Sequence, residues 1–468
     1  MDLILINRNI RLRDNAALFY GSLNQNYRVI YPYDREYWNS NGRSQVQFNF
    51  FLESLQELDN ELRKLNSCVE IFDGGFTDLR KYIDENCQDS KIHVNHITET
   101  NYFRNKFVDF KRHFEKMQKI LTYSDFGIQT ESVDRDKWAY DWNKLMKKNL
   151  LDAPKPNITN TGKGLVSVSE FKEINSFSKQ KSHQIGGSSQ AYQLLNTFLM
   201  ERSKGYSQNM SSPIIAESSC SRLSPHISFG TISIREIYQK LESFYPFSPN
   251  KRDLSSFRKR LYWHCHFIQK LETEPELEFS SMHRMCDNLR EKENSELIEK
   301  WISGETGFPF MDACMKYLKE NGWINFRMRA MMMSFASYNL WQPWQVTSPL
   351  LAELFIDYEP GIHIPQVQMQ SGVTGINLPR IYSVTKQSRD QDPEAIWIKK
   401  VIPSLNDYDI EDIHNAELKE KYLPPVVDLK ESSKYARERI WGARKGNEFK
   451  TIARSVYLKH GSRKRRNA

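Results

Sequence analysis

Short apolar runs alternate with amphipathic stretches along the first 125 residues. LILI (3–6), YRVIYPY (27–33), CVEIF (68–72), KIHVNHI (91–97) and KILTY (119–123) have the length of buried strands. Between them, QFNFFLESLQELDNELRKL (47–65) and FRNKFVDFKRHFEKM (103–117) carry apolar residues at helical spacing. This predicts an α/β domain over 1–125, an open parallel sheet with helices on both faces. No GxGxxG follows the first strand, so a dinucleotide fingerprint is missing there. From 126 to 186 the period lapses into TNTGKGLVSVSEFKEINSFSKQKSHQIGGSS and its surroundings, which predicts an interdomain linker over the surface. Helical patterns dominate after Gln190 and predict a large all-α domain over 187–443. DYEPGIHIPQVQMQSGVTGINLP (357–379) breaks it as an irregular loop, and a basic tail follows at 444–468. No internal repeat is visible.

One helical stretch carries unusual charge. In GWINFRMRAMMMSFASYNLWQPW (322–344), Ile324, Met328, Met331, Met332, Phe335 and Leu340 recur at helical spacing, which predicts a mostly buried amphipathic helix. Arg327 and Arg329 sit inside it, and a guanidinium in apolar surroundings needs an anionic or planar partner.

Composition narrows the classes. At 468 residues the chain has room for two or three domains with a sizeable core. Aromatic residues reach 12%, which fits either a large helical core or a stacking and electron-transfer role. The net charge of +8 suits a polyanionic partner. Six scattered cysteines without a CxxC pair argue against a disulfide framework, a zinc ribbon or a cysteine-held cluster, and fit a reducing compartment. The start, MDLILINRNIRLRDN, is too short in apolar residues for a signal peptide, and no window reaches membrane-span length. A soluble intracellular protein is expected. The basic end, closing in SRKRRNA, is either a solvated tail or a nucleic-acid or localisation element.

Several constellations have both a plain and a chemical reading. SSCSRLSPHISFGTISIREIY (218–238) starts with hydroxyl residues and turns helical, giving either an N-cap or a phosphate site, with Tyr206 upstream. Asp312 in GETGFPFMDACMKYLKENGW (304–323) reads as a helix-packing or hydrogen-bonding residue. Asp357 and Glu359 in FIDYEPG are either exposed loop acids or, for Asp357, the partner of Arg329. His264, Cys265 and His266 diverge on a helix, so a metal site is not expected. No Ser-His-Asp arrangement or P-loop is present.

Together these pieces resemble the photolyase/cryptochrome family over nearly the whole chain. NRNIRLRDNAALF resembles its first strand and turn, and SRLSPHISFGTIS its flavin-phosphate segment. ETGFPFMDACMKYLKENGW with RMRAMMMSF resembles its most recognisable helices, and RIYSVTKQSRDQDPEAIWIKKVIPSL its C-terminal flavin-side segment. The resemblance implies an α/β N-terminal open parallel sheet domain of the antenna type plus a large all-α FAD-binding domain. It places Arg329 against the flavin, with Asp357 as its counter-ion and Glu359 and His363 nearby. Tyr206, Cys220, Ser221, Leu223 and Ser224 fall where the family contacts the FAD phosphates and ribitol, Cys220 standing for a usual threonine. The implied chemistry is light-driven: excited reduced flavin lends an electron to a cyclobutane pyrimidine dimer flipped out of the duplex, and the electron returns. UV-damaged DNA is the implied partner, met by a basic surface. An antenna chromophore is possible but unidentified. A monomer is implied, cytoplasmic with the nucleoid in a bacterium, nuclear or organellar in a eukaryote.

The departures from the family pattern are specific. His363 stands where an asparagine usually lies beside flavin N5, and Arg260 stands for a dimer-binding glutamate. The stacking tryptophan is retained as Trp263. Trp344 and Trp301 match the outer two members of the electron relay, while Val367 and Met369 replace the flavin-proximal and lesion-side tryptophans. The histidines diagnostic of (6-4) photolyases would fall at Phe326 and Ala330, which disfavours that lesion. Lack of late cysteines excludes the iron–sulfur branch. This pattern resembles a divergent photolyase, such as the new photolyase-like group. The basic stretch 444–468 after the last helical pattern is too short for a signalling domain, which favours repair over the rival reading, a cryptochrome-like receptor.

Overall fold

The strands fall almost where the apolar runs put them. In the computed structural model, which describes residues 1–40, 42–125, 127–130, 133–158, 165–175, 183–290, 292–418 and 422–462, the sheet has β1 (Asp2–Leu5), β2 (Tyr27–Tyr33), β3 (Val69–Asp73), β4 (Lys91–Asn95), β5 (Ile120–Tyr123) and β6 (Val166–Ser167). Their order is β5-β4-β1-β2-β3-β6. The first five pair parallel, with Leu3 opposite both Arg28 and Ile92, and β6 adds an antiparallel edge on β3. β1 and β2, almost wholly buried, read as apolar runs, which made them legible.

The chain divides into two compact units. The first comprises Met1–Glu201, Ser221–Pro275 and Ile356–Gly361; the second comprises Arg202–Cys220, Glu276–Phe355 and Ile362–Ala468.

In the first unit, Leu3, Leu5, Ile30, Val94, Phe76, Phe107 and Phe110 form a core between the sheet and the helices Phe76–Asn86 and Asn101–Lys116. Asn15 caps the first helix by accepting from the Leu18 N–H at 3.3 Å. Gly230, at φ +67°, lies so close to the turn after β1 that a Cβ there would meet the Arg8 carbonyl oxygen at 2.0 Å. Only glycine fits that approach.

The irregular linker read over 126–186 is corrected. Residues 126, 131–132, 159–164 and 176–182 of it lie outside the described residues, but Trp138–Met146 is a helix. Trp138, Trp142 and Met146 recur every four residues and are buried. Trp138 Nε1 donates to Gln269 Oε1 at 2.9 Å, and Trp142 meets Tyr238 and Tyr262 edge-on at 5.5 and 5.4 Å.

In the second unit, the helix Phe326–Ser334 continues into a π-helical turn, Phe335–Asn339. The helix is not amphipathic, as its pattern suggested: Met328, Met331, Met332 and Met333 point in different directions and all are buried. The segment 357–379 is also corrected, because Pro360–Gln370 is a helix. Two prolines disguised it, Pro365 having no N–H for the carbonyl four residues back. The basic end is not simply solvated. Asn447–His460 is a helix with Phe449, Val456 and His460 buried, and Phe449 stacks on His283 at 3.8 Å. The residues after Ser462 lie outside the described set.

Candidate functional site

In the second unit, Arg329 and His363 are organised by their immediate neighbours. Arg329 lies one turn into its helix, and its Nε donates to the Ile324 carbonyl at 2.7 Å. Its guanidinium lies over the Phe355 ring, 4.1 Å from the centroid, the planar partner that an arginine in apolar surroundings requires. His363, on the helix Pro360–Gln370, meets the same ring at 6.0 Å and 64°. Phe355 therefore brings Arg329 and His363 together. The His363 Nε2 is 2.9 Å from the Ser348 carbonyl and 3.1 Å from its hydroxyl. A carbonyl only accepts, so Nε2 carries the hydrogen and donates, leaving Nδ1 as the acceptor of the neutral ring.

The tryptophans are held as firmly. Trp344, 3% exposed, opens the helix Trp344–Glu353 and donates from Nε1 to Ser281 Oγ at 3.3 Å. Gln368 clamps the adjoining backbone: it accepts from Met282 N–H at 2.6 Å and donates to Leu277 and Ser280 carbonyls at 2.8 and 3.0 Å. Trp301 is fully buried and its Nε1 has no hydrogen-bond partner among the described residues. Val367 is buried on the same helix as His363, and Met369 is half-buried there. Tyr206 is buried and opens the short helix Tyr206–Asn209, and the Cys220 carbonyl accepts from Arg202. Asp312 is a structural hub: it accepts from Thr306 and Gly307 N–H groups, the Thr306 hydroxyl and the Tyr422 hydroxyl.

In the first unit, Ser221, Leu223 and Ser224 lead into the helix Ser224–Ser228, and Arg222 between them takes φ +61°. That unusual turn is secured by Gln184, which donates to the Arg222 carbonyl at 2.9 Å and accepts from its Nε at 3.1 Å. Arg260 and Trp263 lie on the helix Lys251–Thr273; Arg260 is exposed, and Trp263 is half-buried against Phe267 and His266. Burial drives the neighbouring His264 down to about 3 and pushes the Cys265 thiol up to about 12, so both are neutral. His266 Nδ1 faces Arg135 at 2.7 Å.

Asp357 and Glu359 are not exposed loop acids; both are buried. Glu359 accepts from Arg8 Nη1 at 2.6 Å and from the Gly361 N–H at 3.1 Å. Arg8 also donates to Thr98 Oγ1 at 3.1 Å and lies 3.3 Å from Glu99. Glu99 in turn takes Arg43 and the Tyr37 hydroxyl, and Arg43 lies 4.9 Å from the Tyr358 ring centroid. Burial raises Glu359 above the usual carboxylate range despite Arg8. At Glu99 burial acts in the same direction, but Arg43 and Arg8 outweigh it and hold the carboxyl low. The network lies just beyond the ends of β1 and β4, where strand order reverses and open α/β sheets usually take a ligand. Sequence reading missed it, since its partners are up to 351 residues apart. Lys270 was missed as well; burial, then Arg135, lowers it to about 7.

Comparison with known proteins adds a family. Residues 2–106 match the model described as DNA photolyase, and residues 257–442 match the FAD binding domain of DNA photolyase. The chain belongs to the photolyase/cryptochrome family. The deoxyribodipyrimidine photo-lyase of Alkalihalophilus pseudofirmus is 28% identical over 265 residues, 53% of this chain and 54% of that one. The chain thus spans about half the length of that curated relative. Cryptochrome-1 of Mus musculus is 24% identical over 489 residues, covering 92% of this chain and 78% of that one. The archaeal photolyase of Sulfolobus tokodaii, solved with two FAD molecules, has a TM-score of 0.81 at 25% identity, covering 94% of this chain and 100% of that one. The parallel sheet followed by a large helical part is the fold of this family, and FAD is the cofactor of its helical domain. No helix among the described residues is long and apolar enough to cross a membrane.

Proposed function

We propose that this protein is an FAD-dependent DNA photolyase that splits cyclobutane pyrimidine dimers in light. The observation that carries the reading is the arrangement on Phe355, with the Arg329 guanidinium and the His363 imidazole fixed against one ring. Both lie in the stretch that matches the FAD-binding domain. The residues present fit that cofactor. Asn325, 2% exposed and one turn before Arg329, has a buried Oδ1 without a hydrogen-bond partner among the described residues, an acceptor that a ring N–H or amino group would satisfy.

Reduced FAD, when bound, supplies the single electron that opens the dimer and receives it back. The chain's own residues do the rest. Arg329 provides a fixed positive charge that favours an anionic ring system. His363, donating through Nε2 to Ser348, presents a fixed imidazole against the same ring that carries Arg329. Tyr206, Cys220, Ser221, Leu223 and Ser224 take the phosphate and ribitol contacts by the family's pattern, and Asp357 is assigned there as counter-ion of Arg329. Trp263 offers a ring face to the flipped-out lesion, and exposed Arg260 offers charge to its backbone. UV-damaged DNA is the partner in this reading. Trp344 and Trp301 are the tryptophans available for electron relay.

A second reading, a blue-light receptor, is favoured by the long match to the murine cryptochrome and by Arg260 and Val367 standing where repair enzymes keep other residues. Illumination separates the two. Purified, flavin-loaded protein mixed with a dimer-containing oligonucleotide restores the undamaged sequence under blue light if it is a photolyase, and leaves the lesion intact if it is a receptor.

A further inference from the structure

The positive charge of this protein is concentrated in one place. Residues 429–468 hold 13 Lys and Arg against 3 Asp and Glu, a balance of +10, so the other 428 residues of the chain sum to −2. Two helices, Leu429–Ala443 and Asn447–His460, carry seven of these cations and all three acids, a balance of +4. Each turns its apolar side inward. In the first, Ala436 and Ile440 pack with Tyr338, and the Asn339 amide donates to Ser432 Oγ at 3.0 Å. In the second, Phe449 and Val456 are buried.

Their outward faces repeat one pattern. Lys434, Arg437 and Trp441 stand at i, i+3 and i+7 of the first helix; Lys450, Arg454 and Tyr457 stand at i, i+4 and i+7 of the second. All six are exposed. Along each face two cations precede a ring, with the exposed Glu438 also standing on the first, and Trp441 and Tyr457 remain 45% and 47% exposed. Tyr435, on the first helix, is 45% exposed with Arg439 over its ring at 5.7 Å. Half-exposed rings beside cations suit a partner that is both flat and anionic.

We propose that the outer faces of these two helices form a binding surface for single-stranded DNA, made of residues other than those assigned to the lesion. Lys434, Arg437, Lys450 and Arg454 neutralise phosphates, and Trp441 and Tyr457 receive unstacked bases, which every base can satisfy because each has a π-face. An anionic membrane is the weaker match, since interfacial helices bury an outward apolar stripe and here the apolar stripes face the core. A duplex is disfavoured because its bases are stacked away from exposed rings. The surface acts without lesion, light or flavin and thus stands apart from the repair reading.

The test is fluorescence anisotropy of a labelled, undamaged oligo(dT) titrated in the dark with the full chain across a salt series. Binding of the parent falls steeply with salt. In K450Q/R454Q the log–log slope becomes shallower by about 1.4, two phosphates at roughly 0.7 each for a single strand. In Trp441→Ala affinity falls about tenfold while the slope holds, the mark of a lost stack rather than a lost charge. Circular dichroism and melting matched to the parent show that each variant is folded, as exposed positions allow. The proposal is overturned if the parent does not bind oligo(dT) at low salt, if folded variants bind like the parent, or if the chain prefers duplex or anionic phosphatidylserine vesicles to the single strand.

Discussion

The Arg329 guanidinium lies face-on to Phe355, 4.1 Å from its centroid, and the same ring meets His363 at 6.0 Å. A charge and a titratable ring are thereby held on one rigid aromatic plate, set by residues flanking two different helices. Rigid support of this kind is what a redox cofactor needs from its protein.

Arg329→Ala removes the charge from that plate. FAD retained after desalting, read as the flavin-to-protein absorbance ratio, falls by about tenfold or more, in line with a lost charge-assisted contact. Arg329→Lys keeps the charge but not the plane and recovers only part of the retention. Full occupancy in Arg329→Ala would remove this residue from the flavin site.

His363 sets the rate of light-driven flavin reduction. Its Nε2–H is committed to the Ser348 carbonyl and its ring meets Phe355 at 6.0 Å. His363→Asn loses the ring and both contacts and changes that rate and the yield of reduced flavin. The same rate and yield in His363→Asn would place the imidazole away from the flavin.

Glu99 ties together Arg8, Arg43 and Tyr37 in the first unit. Its carboxyl is held below its ordinary value of 4.5 by Arg43 and Arg8 against the effect of burial. The stability it contributes is therefore present above pH 4.5 and is lost as pH falls below that value. Glu99→Gln leaves buried guanidinium groups short of an anion and destabilises by about 3–5 kcal/mol at neutral pH. Urea melts from pH 7 to pH 3 show the parent losing its advantage over the variant in acid; a constant gap across that range would contradict the assignment.

Lys270 has the opposite sign. Burial, with Arg135 adding to it, lowers its value from 10.5 to about 7, so the folded protein binds fewer protons than the unfolded chain between those limits. The cost is absent above pH 10.5, grows as pH falls, and levels off below pH 7. Lys270→Met relieves it, with a gain over the parent that increases by about 1.4 kcal/mol per pH unit on descending through that window. A gain equal at pH 10 and pH 7 would show that the ammonium reaches water.

β1 and β2 were legible because strands buried in the sheet appear as apolar runs, whereas Glu70 and His93 interrupt β3 and β4, and β5 is an edge strand only partly buried. The helix Trp138–Met146 was hidden, its apolar side reduced to Trp138, Trp142 and Met146 amid charges and its partners on Lys251–Thr273 far along the chain. Pro360 and Pro365 made the helix bearing His363 look like a loop. Basic residues made Asn447–His460 look like a tail, though Phe449, Val456 and His460 mark a buried stripe. Arg329 was legible as a charge out of place in an apolar run, and the photolyase resemblance assigned it to the flavin. Its supports, the Ile324 carbonyl and the Phe355 ring, were not legible, because a backbone acceptor leaves no mark in sequence. Glu359 was assigned to the cofactor beside Asp357; the structure engages its carboxylate with Arg8, a relation no local pattern could reveal.

The central claim is that this chain turns blue light into dimer splitting. The direct measurement is the loss of cyclobutane dimers from a defined oligonucleotide, followed by chromatography, with flavin-loaded, reduced protein in light and in darkness. The account predicts dimer loss that tracks the light dose, returns intact thymines and is absent in the dark. Intact dimers after illumination, in a sample whose absorbance proves full loading with reduced FAD, would contradict it.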